Sequence, residues 1–118
     1  MILSVSRRTD IPNWYSAWFY NRIREGFLYV RNPFNSHQIS RIPLSPDLVD
    51  CIVFWTKNPK NMMPRLGELQ DYDFLFQFTL TGYGKDVEPG VPDKKHMIRV
   101  FQALSEQIGH ERVIWRYD

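Results

Sequence analysis

The amino-acid sequence predicts an α/β domain built of parallel β-α units with one inserted β-hairpin. Three observations predict it. Residues 51–55, Cys-Ile-Val-Phe-Trp, are an unbroken apolar run of strand length, closed by the polar tail Thr56-Lys57-Asn58-Pro59. Such a run belongs to a strand buried on both faces, as in parallel sheets covered by helices. Three more apolar stretches end the same way: Leu3 to Ser6 before Arg7-Arg8-Thr9-Asp10, Phe74 to Phe78 before Thr79-Leu80-Thr81, and Val113 to Trp115 before Arg116-Tyr117-Asp118. Segments of helical period separate them. Parallel pairing brings the four polar tails to one end, where α/β folds bind ligands.

The first strand spans about Ile2 to Ser6, and Pro12 suits the first turn of the helix that follows. Trp14, Tyr15, Trp18, Phe19, Arg22 and Ile23 recur at helical spacing, and Gly26 supplies a left-handed stop. Phe27 to Arg31 and Gln38 to Ile42 alternate and are rich in β-formers, with a loop from Asn32 to Ser36 between them, so a hairpin interrupts the β-α rhythm. Ser45-Pro46-Asp47 opens a helical turn before the central strand. Beyond Pro59, Asn61 is expected to cap a short helix carrying Met62, Met63, Leu66 and Leu69. The third parallel strand, Asp73 to Thr81, places Phe74, Phe76, Phe78 and Leu80 on one face and Leu75, Gln77, Thr79 and Thr81 on the other. A long loop rich in Gly and Pro then runs from Gly82 to Pro92. Asp93 caps a helix bearing Met97, Ile98, Phe101, Leu104 and Ile108, stopped by Gly109.

At 118 residues the chain makes one domain at most, 1–118, able to bury about two-thirds of its unfolded surface. The 43% apolar and 15% aromatic content is globular, which excludes a disordered chain. A net charge of +2 does not by itself imply nucleic acid or an anionic membrane. The single cysteine, Cys51, rules out an internal disulfide and fits a cytoplasmic setting; inside an apolar strand it reads as a small core residue. No apolar run approaches a membrane span, and no targeting segment precedes Arg7. The histidines His37, His96 and His110 share no ligand spacing, so no metal site is expected.

Sequential β-α units require right-handed crossovers. Ser4, Ser6 and Arg8 share a face of their strand, as do Gln77, Thr79 and Thr81, and Arg116 and Asp118. A face that grows more polar toward the carboxyl end fits the interior mouth of a barrel, so half of a TIM-like barrel is expected, with an open flavodoxin-like sheet as the alternative. Four strands cannot close such a barrel. The chain therefore reads as an N-terminal fragment of a longer protein, with exposed edges that favour self-association.

The candidate ligand-binding residues are Arg7, Arg8, Asp10, Thr56, Lys57, Thr79, Thr81, Arg116 and Asp118, all at or just past strand ends. Guanidiniums and hydroxyls gathered in one mouth would hold an anionic small molecule through charged hydrogen bonds. Each has a plainer reading too: an arginine bridging Asp10 at a turn, Asn58-Pro59 making a turn beside a solvated Lys57. Gly82-Tyr83-Gly84-Lys85 matches neither a P-loop nor a dinucleotide fingerprint. No nucleophile and base are paired by spacing, so no catalytic residue is assigned.

The stretches Ser4 to Pro12, Val30 to Asn35, Cys51 to Pro59, Phe76 to Thr81 and Glu111 to Asp118 together resemble the domain-of-unknown-function family numbered eighteen forty-eight. The resemblance covers essentially the whole chain. It implies a longer protein whose C-terminal half carries a cysteine cluster similar to the iron–sulfur site of radical S-adenosylmethionine enzymes. That implies an iron–sulfur cluster and S-adenosylmethionine in the full-length protein and no cofactor in this chain, whose natural partner would be the missing C-terminal half. The alternative is a binding module for a phosphorylated ligand or nucleic acid, using Arg7, Arg8, Arg31, Arg41 and Lys57 with aromatics such as Tyr83.

Overall fold

Residues 1–5, 9–32, 34–80 and 94–117 are described by a computed structural model. The expected strand end at Ser6, the Gly- and Pro-rich loop from Gly82 to Pro92 and the Asp93 cap lie outside the described residues. Four strands, β1 (Ile2–Val5), β4 (Cys51–Thr56), β5 (Phe74–Leu80) and β6 (Val113–Tyr117), form a sheet in the order β1-β4-β5-β6. Every pairing in it is parallel. β2 (Phe27–Asn32) and β3 (Asn35–Pro43) pair antiparallel as a separate hairpin.

The helices α1 (Ile11–Trp14), α2 (Ser16–Glu25) and α3 (Lys94–Ile108), with a 3₁₀ segment over Met63–Leu69, all contribute to one core. Its strand residues are Val5, Ile52, Phe54, Phe74, Phe76, Phe78 and Val113, which share one face of the sheet. Phe54 stacks on Phe76 at 4.8 Å and meets Phe19 edge-on at 5.3 Å, while Phe78 stacks on Trp115 at 5.8 Å. Such ring pairs contribute about 0.5–1.5 kcal/mol each beyond the area they bury. None of Ser4, Cys51, Val53, Trp55, Leu75, Gln77, Thr79, Ile114 or Arg116, which carry the opposite parity, belongs to that core.

Several details differ from expectation. β4 is fully buried on one face only: Ile52, Phe54 and Thr56 are buried, whereas Cys51, Val53 and Trp55 are partly buried and lie outside the core. Cys51 is therefore not a core residue. The first helix breaks at Tyr15, whose φ of −133° leaves the helical region. The break restarts the phase, so α2 buries Phe19 and Tyr20 while Trp14, Tyr15 and Trp18 stay exposed. The turn opened by Ser45 does form as expected, the Ser45 carbonyl accepting from the N–H groups of Leu48 and Val49. Asn61 caps nothing; its Nδ2 donates to the carbonyl of Asn13 at 2.7 Å. The hairpin loop is also tighter than expected, because Asn32 and Asn35 fold back onto the backbone N–H groups of Phe34 and His37. Gly26 at φ 85° and Gly109 at φ 97° provide the helix stops as expected, and an additional 3₁₀ turn at His110–Arg112 leads into β6.

Tyr20 links α2 to the 3₁₀ segment: its hydroxyl donates to the Met62 carbonyl at 2.8 Å, and Arg65 lies 4.5 Å over its ring. Burial first, and then the nearby Glu68 carboxylate, push its hydroxyl pKa well above the ordinary value; burial, and then the Asp71 carboxylate, also raise that of Tyr72. Below pH 10 both the folded and unfolded states hold these protons. Above it the unfolded state releases them first, so stability falls by up to about 1.4 kcal/mol per pH unit per tyrosine. Urea midpoints measured from pH 8 to 11.5 should therefore decline above pH 10. Tyr20→Phe should cost about 1 kcal/mol at pH 8 through the lost hydrogen bond and make that decline shallower.

Candidate functional site

The carboxyl ends of the strands hold two groups of side chains. The first is built around Asp10, which caps α1. Its Oδ1 accepts from the backbone N–H of Asn13 at 3.1 Å and from the Thr56 hydroxyl at 2.6 Å, and its Oδ2 accepts from the backbone N–H of Lys57 at 2.9 Å. Thr56 in turn accepts from the N–H of Asn58 at 3.0 Å, and the Asn58 Oδ1 accepts from the N–H of Lys60 at 3.1 Å. Thr56, Asn58 and Asn13 are all buried. A buried polar chain is tolerated because each member has a partner. It ties the segment after β1 to the end of β4, with the carboxylate as the shared acceptor.

The second group lies on the face that no described helix covers, hereafter the helix-free face, which the strand register arranges in rows. Ile2 pairs with Cys51; Ser4, Val53 and Leu75 form the next row; Trp55, Gln77 and Ile114 the third; Thr79 and Arg116 the last. Apolar residues dominate the amino end, and the final row is a hydroxyl beside a guanidinium. Arg116 reaches across β5 to lie 5.5 Å over the Trp55 ring, whose Nε1 donates to the Ser4 hydroxyl at 2.9 Å. A guanidinium placed over an indole face can still offer N–H donors to an oxyanion.

Of the expected site residues, Arg7, Arg8, Thr81 and Asp118 lie outside the described residues. The other five fall into two sets by strand parity. Asp10 and Thr56, with the backbone of Lys57, meet on the helix side, while Thr79 and Arg116 are neighbours on the helix-free side. Sequence reasoning missed Trp55 as the platform for Arg116, although its position two residues after Val53 puts it on that face. It also missed Asn13 and Asn61, for which the sequence carries no signal, since each acts across the chain. Among the described residues no cluster of three His, Cys, Asp or Glu could hold a metal, and no helix is long and apolar enough to cross a membrane.

The family described as a domain of unknown function, DUF1848, matches residues 2–118. The chain belongs to the DUF1848 family. No curated protein and no solved structure matches it. All five stretches that carry the resemblance fall inside the matched span, so this DUF1848 chain presents both groups of strand-end side chains within the family region.

The two groups differ in what they hold together. Asp10→Ala strands three donors and should lower stability by about 2–3 kcal/mol, on the scale of hydrogen bonds to a charged group. Arg116→Ala removes an exposed guanidinium and should cost under about 1 kcal/mol. Chemical denaturation of the two variants beside the wild type checks this; equal losses would show that the Asp10 carboxylate is not a structural tie.

Proposed function

We propose that the β1-β4-β5-β6 sheet is an arc of a TIM-like barrel in an iron–sulfur protein similar to radical S-adenosylmethionine enzymes, and that its helix-free face is part of the wall of the ligand site. The observation that carries this reading is the winding: four parallel strands in strict sequential order, with the described helices on a single side. A doubly wound sheet reverses its order and places helices on both sides, whereas a barrel keeps them all outside and turns the other face inward. The polarity gradient along that face agrees, with Thr79 and Arg116 at the carboxyl rim. Further strands, from the rest of a longer protein, would pair with the open edges of β1 and β6.

The residues of this chain do not fit an iron–sulfur cluster, which needs several cysteine thiolates, because Cys51 is the sole cysteine. What the chain's own residues are suited to is binding: Arg116, with the Thr79 hydroxyl beside it in the strand register, takes an anionic group such as a carboxylate or phosphate. S-adenosylmethionine carries such a carboxylate. Arg7, Arg8, Thr81, Asp118 and the Lys57 ammonium belong to the same proposal as further contributors to the rim.

NMR titration of the protein with phosphate, sulfate and S-adenosylmethionine tests the site. Shifts should map to Ser4, Trp55, Gln77 and Thr79, and Arg116→Ala should weaken binding by about 1.5–3 kcal/mol, while Arg41→Ala on the hairpin should leave it unchanged. Equal weakening by both substitutions, or shifts confined to the hairpin, would overturn the assignment.

A further inference from the structure

The hairpin takes little part in the fold that the proposed barrel wall requires. Among its described residues only Leu28 is buried, and none joins the core. Yet it exposes Tyr29 (62%), Val30 (46%), Ile39 (55%) and, at its tip, Phe34 (96%). Apolar groups gathered in the open mark a contact surface. From Phe27 to Pro43 there is no acidic residue, whereas Arg31, His37 and Arg41 are all exposed.

Strand pairing sorts these side chains. Phe27, Tyr29 and Arg31 share a face with Pro43, Arg41 and Ile39, and Tyr29 sits directly opposite Arg41. On that face the Phe27 ring meets Tyr29 edge-on at 5.5 Å, and the guanidiniums of Arg41 and Arg22 lie over it at 4.5 and 5.4 Å. Arg41 of the ribbon and Arg22 of α2 thus lie against the Phe27 ring, with Tyr29 beside it and Arg31 next along the same face.

We infer that this face of the hairpin binds single-stranded nucleic acid. Its guanidiniums complement the phosphates, and Tyr29 offers a stacking surface to an unpaired base, a combination that tolerates any sequence. An acidic peptide would use the charges and leave the rings idle. A duplex keeps its bases stacked internally and out of reach of Tyr29.

The test is fluorescence anisotropy of labelled twelve-residue oligo-dT and oligo-U with the protein across a salt series. Binding should weaken as salt rises, and the double variant Arg31→Ala/Arg41→Ala should flatten the log–log slope by about 1.4, at about 0.7 for each phosphate that is no longer neutralised. Tyr29→Leu keeps the apolar bulk and should weaken binding roughly tenfold with the slope unchanged, the signature of lost stacking. Arg116→Ala and Arg99→Ala should bind as the wild type does, so failure here is separate from failure of the strand-end anion site. The inference is overturned if no binding appears at low salt, if Tyr29→Leu has no effect, if polyglutamate or a duplex competes as well as the single strand, or if the arm prefers phosphatidylserine vesicles.

Discussion

The handedness of the β-α crossover is the constraint on which the rest of this structure depends. Each parallel connection between neighbouring strands turns the same way, and the four parallel strands follow one another in chain order. Every covering helix must then fall on the same side. The aromatic core follows from it, since Phe54, Phe74, Phe76 and Phe78 need cover on that side and receive it from α2, α3 and the 3₁₀ segment. So does the opposite face, which the described helices leave uncovered and which carries a different chemistry.

Strand periodicity then decides which strand-end side chains serve the fold and which remain available. Thr56 shares parity with Phe54, so its hydroxyl turns toward the helices and is consumed by Asp10. Thr79 and Arg116 have the other parity and end on the open side in register. One carboxylate accepting three hydrogen bonds joins the segment after β1 to the end of β4 and holds α1 in place through the N–H of Asn13. The scaffold is thereby fixed close to the rim without using the groups on the open face. Nucleic-acid contact on the hairpin and anion contact at the rim would occupy separate parts of the molecule.

Much of this architecture was legible in the sequence. The four apolar stretches with polar tails marked the parallel strands, the alternation from Phe74 to Leu80 marked the faces of β5, and Gly26 and Gly109 marked the helix stops. The helix-free side was harder to see at β4, because Cys51, Val53 and Trp55 are as apolar as Ile52 and Phe54, and composition alone reports burial on both faces. The break at Tyr15 was hidden for a similar reason: Trp14 and Trp18 keep helical spacing with Phe19 and Tyr20 although the phase has shifted. In the candidate site the strand ends were visible as a class, but their division into two groups depends on hydrogen bonds between Asp10 and residues 46 and 47 positions away. No local pattern encodes such a contact.

The uncovered face can be tested through Cys51, the sole cysteine, which is only partly buried on it. Thiol modification by a small aromatic disulfide under native conditions should proceed on Cys51 without unfolding, at a rate insensitive to low urea. In the variant Cys51→Ser/Ile52→Cys the thiol moves to the helix-covered face, where Ile52 is fully buried, and should react only through global opening, with a rate that rises steeply with urea. If both thiols are equally protected and respond alike to urea, the sheet is covered on both sides and the account of a singly wound arc is wrong.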